Sequence, residues 1–304
     1  MMQSTETSWF VRDCVAGQPR QVWSFDGEAA IRTGVTNPET GAGTFFRAKP
    51  GETFWDCIGR QTDWLGPEAK EGSFYLMRLG PAQFYPRMAR PIAIADEARL
   101  WVPSYDSEKL FIANARGQLT LLARKLENIC QTVQPTQGTL SAYGHEIRNL
   151  LILAATEAEM HWRGILIANG LQMQRPTSNQ YIRLLEPMKL SHYAVTFHGY
   201  PDLGPIKPFA DWSQVDPTGS LGWYSAYHGV KHNREVEFAR GTLRHAFEAV
   251  SACIVLLVSQ FGPVALNAEL SSLIGLTYPD WPIEEMYIPQ VTSAQFTPIK
   301  HPDL

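Results

Sequence analysis

The chain is poor in several things that would narrow its function at once. Its 304 residues hold only four cysteines, Cys14, Cys57, Cys130 and Cys253. They lie far apart and form no C-x-x-C pair, which argues against a zinc ribbon or a disulfide scaffold and fits a reducing compartment. There is no excess of positive charge: the formal net charge is −4, so no global field draws the protein to nucleic acid, and a polyanion would have to bind a local basic patch. The opening "MMQSTETSWFVRDC" lacks the basic-then-apolar pattern of a secretion signal. A phosphate-binding Walker A loop, a G-x-G-x-x-G between strand and helix, and a G-x-S-x-G elbow are all missing. No internal repeat is visible.

Long hydrophobic runs are also scarce. Ala249 to Ala268 carries no charge, but its continuous apolar part is only "ACIVLLV", against the ~20 mostly apolar residues that a membrane span requires. The expectation is a buried core helix in a cytoplasmic protein with no membrane partner. At 44% hydrophobic and 18% charged the composition is that of a globular chain, long enough for one large domain or two ordinary ones.

Residues 1–104 are punctuated by glycine and proline, with the short runs "QVWSF", "GTFFRA", "SFYLMRL" and "ARLWVP" between. Their lengths and flanks suit strands. "ETFWDCIGR" and the other aromatics there are expected in a β core or, alternatively, on a ligand-sensing surface. Past Ser104 the pattern changes. Leu110, Ile112, Leu119, Leu122, Leu126 and Ile129 fall near helical spacing, a second helix is expected from about Ala142 to Ile167, and a third from residue 223 through Gly262. The intervening 170–222 segment, rich in Pro, Tyr and Trp, is too long for a bare connection and is expected to hold a small hairpin or a lid. Residues 263–304 read as an extended tail. The fold class is α+β: a β-rich region of unknown role over 1–104, then a helical bundle over 105–262.

The start of the third helix, "WYSAYHGVKHNREVEF", concentrates titratable chemistry. At about 100° per residue, Tyr227, Lys231, Arg234, Phe238, Gly241 and His245 share one stripe. His232 falls in line with Val236, Ala239, Leu243, Phe247 and Val250, the apolar face, while Asn233, Glu237, Arg240 and Arg244 point elsewhere. On that projection His232 is aimed into the protein between two cations, either as a core histidine or as a proton-transfer group. In the second helix Glu157 sits among Ile147, Leu150, Leu153, Ala154 and Ala158. A glutamate is rarely buried without a partner, so either a cation or imidazole from 227–238 meets it or the helix is rotated and Glu157 is wet. Glu159 and Arg148 project to the opposite side, toward the surface.

The pair "YGHEIRNLLILAATEAE" and "WYSAYHGVKHNREVEFARGTLRHAFEAVSACIVLL" resembles the HEPN superfamily of helical-bundle proteins, many of them RNases of toxin–antitoxin and anti-phage defence systems. The resemblance covers roughly residues 105–262. It implies a HEPN-like bundle, metal-independent RNA cleavage through the ribose 2′-OH, no cofactor, a homodimer and an antitoxin or defence partner. His232 matches the signature histidine and His228 the polar position. Tyr227 stands where the family has its arginine, so Lys231 or Arg234 would have to supply that charge. The implied site is His232, Lys231, Arg234, Tyr227 and Glu157. A literal Arg-x4-His at Arg240–His245 diverges by about 140° around a helix. Two other readings stay open: an inactive module that binds RNA, a nucleotide or a protein, and a zinc site on His228 and His232, whose i, i+4 spacing can chelate although Lys231 would repel the ion.

Overall fold

The computed structural model describes residues 7–14, 18–41, 43–61, 73–94, 100–289 and 295–304. They belong to two compact units. The first draws on Met1–Phe84, Arg90–Trp101 and Trp281–Ile299, the second on Tyr85–Ala89, Val102–Asp280 and Lys300–Leu304. The fold is α+β, with an antiparallel sheet near the N-terminus and helices in the C-terminal part.

The first unit is built on five strands: β1 (Ser8–Arg12), β2 (Gln21–Phe25), β3 (Ala29–Arg32), β4 (Phe45–Arg47) and β5 (Phe74–Leu76), in the antiparallel order β4-β3-β2-β1-β5. Successive strand residues face opposite sides, and here both sides are buried. Phe10, Trp23, Ala30, Phe46 and Phe74 meet α1 (Phe54–Gly59) on one face. Val11 and Val22 meet Met77, Ala93 and Ile288 on the other. "ETFWDCIGR" joins the β core, as a short helix against the sheet. Thr53 and Asp56 close a capping box at its start, and Phe54, Cys57 and Ile58, at i, i+3 and i+4, turn one face inward. The strand expected in "ARLWVP" is reduced to a single bridge between Arg90 and Trp101, because Pro103–Tyr105 turns at once into a 3-10 helix; residues 98–99 lie outside the described residues.

The second unit is helical: α2 (Lys109–Cys130), α3 (His145–Ala168), α4 (Ser178–Tyr181), α5 (Gly222–His232), α6 (Arg234–Glu237), α7 (Leu243–Phe261) and α8 (Ala268–Leu273). Of these, α7 is long and apolar enough to cross a membrane, yet it is mostly buried. It packs on α2, α3 and α5, and every residue from Ala249 to Phe261 is buried, as in a core helix.

The third helix departs from expectation: it is not continuous. It stops at Asn233, whose φ of −136° and ψ of 62° are not helical, resumes as α6 and a 3-10 turn over Phe238–Arg240, and restarts as α7 with a fresh cap, the Thr242 side chain accepting from the His245 N–H. Gly241 makes the break possible by close approach: a β-carbon there would lie 3.3 Å from Val230 and 3.6 Å from the Arg148 backbone. The first free N–H groups of α7 find carbonyls outside the helix, Leu243 bonding Ala142 and Arg244 bonding Leu140.

Residues 170–222 contain α4 and one strand, β7 (Ala194–Phe197 in chain order after β6, Gln83–Phe84), and the expected hairpin is reduced to one antiparallel bridge between Val195 and Ile206. The partner of β7 is β8 (Ile274–Thr277), beyond α7. The tail is therefore not simply extended: it supplies α8, β8 and a strand β9 (Thr297–Pro298) that pairs with β6. Its last residues tie into the helical unit, where the His301 N–H donates to Asn169 Oδ1 and Asn169 Nδ2 donates to the Pro86 carbonyl.

Candidate functional site

Taken by itself, α5 buries Trp223, Tyr224, Ala226, Tyr227 and Val230. His232 lies nine residues past Trp223, about 180° around the helix, and is exposed. This reverses the expected inward orientation. The apolar residues that defined the inward face on the sequence belong to later elements; Val236, one of them, is 73% exposed. Once the helix breaks, positions 236–250 no longer report on the rotation of 223–232.

Tyr227 is fully buried, and Lys231 Nζ donates to its hydroxyl at 2.6 Å. That hydrogen bond pushes the Lys231 ammonium above its ordinary range. Arg234 is exposed on α6, outside the helix that carries Lys231.

Glu157 does not meet residues 227–238. Its Oε1 is 3.6 Å from His161 Nε2, one turn along the same helix, with no hydrogen-bond partner. Burial moves the two groups in opposite directions, the carboxyl up and the imidazole down to about 3, each toward its uncharged form. The carboxylate that reaches α5 is Glu159, which the helical projection placed on the surface: Tyr224 Oη donates to Glu159 Oε1 at 2.8 Å. The projection failed because α3 is packed by α2, α5 and α7, so it has more than one inward face. Nothing in the spacing of Glu159 or Tyr224 distinguished them beforehand.

His228 sits at the centre of the resulting cluster. Its ring lies edge-on to Tyr224 at 4.6 Å, 5.0 Å from Tyr227, and 6.0 Å from the nearly parallel ring of His232. Burial lowers its pKa, with His232 and Lys231 acting the same way and Glu159 opposing them, so the imidazole is neutral at physiological pH. The i, i+4 histidine pair finds no third metal-ligating side chain among the described residues.

Compared with family models, curated proteins and solved structures, the chain matches none.

The literal Arg-x4-His at Arg240–His245 is a structural device. Arg240 bonds Glu237 and Ser225, while His245 Nδ1 lies 2.7 Å from the Arg240 carbonyl oxygen; the two side chains do not converge. What α5 offers is a neutral, half-buried imidazole, an exposed imidazole one turn on, and an ammonium anchored on the buried Tyr227 hydroxyl. That set can exchange protons and attract an anion.

Proposed function

We propose that the helical unit is a metal-independent endoribonuclease of HEPN-like design. The observation that carries the reading is the pairing of neutral His228 with exposed His232, 6.0 Å apart, beside the Lys231 ammonium. His228 accepts the proton of a ribose 2′-OH. The alkoxide attacks the adjacent phosphorus, the P–O5′ bond breaks, and His232 returns a proton to the departing 5′ oxygen, leaving a 2′,3′-cyclic phosphate and a 5′-OH. Lys231 and Arg234 offset the charge that builds on the phosphoryl oxygens. Tyr227, in the place of the family's arginine, acts by holding Lys231. Glu157 has no role in this scheme. The same reading carries an expected homodimer, a toxin–antitoxin or anti-phage partner protein and a cytoplasmic setting.

A second reading has its own support. Tyr227 is fully buried and presents no charge to a phosphate, which favours an inactive module that binds RNA, a nucleotide or a protein. Incubating the purified protein with total RNA in EDTA separates the two. A nuclease cleaves there, leaves cyclic phosphate ends, and loses about 10²–10⁴-fold in rate on His228→Ala or His232→Ala, with a smaller loss for Lys231→Ala. An inert protein that still binds RNA through α5 is the binding module, and cleavage abolished by EDTA refutes the metal-independent scheme.

A further inference from the structure

A cavity of about 520 Å³ opens beside α3, within the helical unit and lined in part by Arg87, Glu159, Arg163, Arg175 and Tyr181. Its volume is in the range of small-molecule sites. In a chain of net charge −4, three arginines against one carboxylate on a single cavity wall is a local reversal of sign.

Arg87 is held with unusual firmness. Its backbone has φ of +55°, a left-handed conformation that is strained for a non-glycine residue and persists where the surroundings fix it. Its Nε and Nη2 pair with the two oxygens of Glu108 at 3.1 and 2.9 Å, and the guanidinium stacks over Phe111 at 3.9 Å. Gly164 leaves room for it, since a β-carbon at 164 would strike Nη1. With Nε and Nη2 committed to Glu108, Nη1 is the donor that this geometry leaves over. Arg163 and Arg175 differ from Arg87: both are exposed, and neither has an ion-pair partner among the described residues. Guanidinium forks match phosphate oxygens in geometry and charge.

The rest of the cavity is not built for a bare anion. Met160, Ile167 and Tyr181 contribute apolar surface, and Tyr181 is braced from behind by its stack on Trp162, centroids 5.1 Å apart. Glu159 has one oxygen bound by Tyr224 and a second that can accept from an amino or hydroxyl group. A flat heterocycle, a hydroxyl-bearing linker and a phosphate satisfy all three features together.

We infer that this cavity binds a nucleoside phosphate, with Arg163, Arg175 and Arg87 on the phosphate and the apolar wall under the base. The ligand is either a free nucleotide or one nucleotide of an RNA strand. The inference does not depend on cleavage at α5.

Calorimetric titration of the full chain with inorganic phosphate, the four ribonucleoside 5′-monophosphates and a short single-stranded oligoribonucleotide tests it. At least one monophosphate should bind ten-fold or more tighter than inorganic phosphate, and Arg163→Ala/Arg175→Ala should weaken that binding at least ten-fold. Arg124→Ala, which removes an exposed arginine on α2, should not. Equal affinity for mononucleotide and oligonucleotide identifies a free ligand; much tighter oligonucleotide binding, lost in the same double variant, identifies a strand. Phosphate binding as tightly as every nucleotide, no binding at millimolar ligand, or binding indifferent to the double variant overturns the inference. Both substituted arginines are exposed, so the variant should melt like the parent. Gly164→Ala is a second probe: Gly164 lines the cavity, and its added methyl should weaken binding by displacing Arg87. An RNA-cleavage assay run alongside reads the α5 histidines separately, so loss of one proposal leaves the other standing.

Discussion

Tyr224 Oη donates to Glu159 Oε1 at 2.8 Å, a bond between the buried face of α5 and the flank of α3. Burial, then the carboxylate itself, pushes the phenol upward, so it stays a donor at every pH the protein meets. Glu159→Ala leaves that hydroxyl unpaired and should cost about 1–3 kcal/mol in chemical denaturation. Glu159→Gln keeps an acceptor and should cost less. It also removes the negative charge that favours protonated His228, so the His228 imidazole, followed by NMR, should titrate lower than in the parent. A His228 titration that does not move would sever the electrostatic link between α3 and α5.

His161 makes stability depend on acid. It is buried, with Gln260 Nε2 donating to its Nδ1 at 2.8 Å, and burial, assisted by Arg87, takes its pKa down to about 3. The unfolded chain binds this proton near pH 6.5 and the folded chain does not, so the contribution is complete above about 6.5 and drains away as pH falls toward 3. At pH 4.5 the loss should reach about 2–3 kcal/mol. His161→Gln does not titrate in this range. Urea denaturation of both proteins at pH 7.5 and 4.5 should show the gap between them closing in acid.

Glu248 works in the opposite sense. Burial raises its carboxyl to about 7, with Arg244 opposing and Asp211 adding to the rise. The folded state holds this proton more tightly than the unfolded state, so its contribution is complete below about 4.5 and is lost as pH climbs through 7. Glu248→Gln should therefore be more stable than the parent at pH 8, by about 1–3 kcal/mol, with the advantage gone by pH 5. Equal melting curves at pH 8 would mean that the folded protein ionises Glu248 without cost.

The α+β class was legible because the two halves obey different periods. "QVWSF", "GTFFRA" and "SFYLMRL" are short, aromatic or β-branched, and bounded by turn residues, and each contains a strand. The apolar spacing after Ser104 does give α2 and α3 within a few residues of their observed ends. The uncharged run near the end of the third helix is the buried α7.

Tertiary structure decided the rest, because periodicity states how much of a helix wants to be buried and not which neighbour does the burying. A helix packed by one partner has one inward face that spacing can locate; α3, packed by several, has more than one, and so Glu159 meets α5 while Glu157 turns to His161. The break at Asn233–Thr242 goes with a close approach of Gly241 to α3, a distance that no local propensity contains, and it frees the rotation of α5, which puts His232 outside, from the apolar pattern of 236–250. The same holds for residues far apart in the chain: Ile288 covers the sheet beside Val11, and Arg87 reaches Glu108 and Phe111. Local sequence determines what each segment can become; the long-range contacts determine which charged groups end up together.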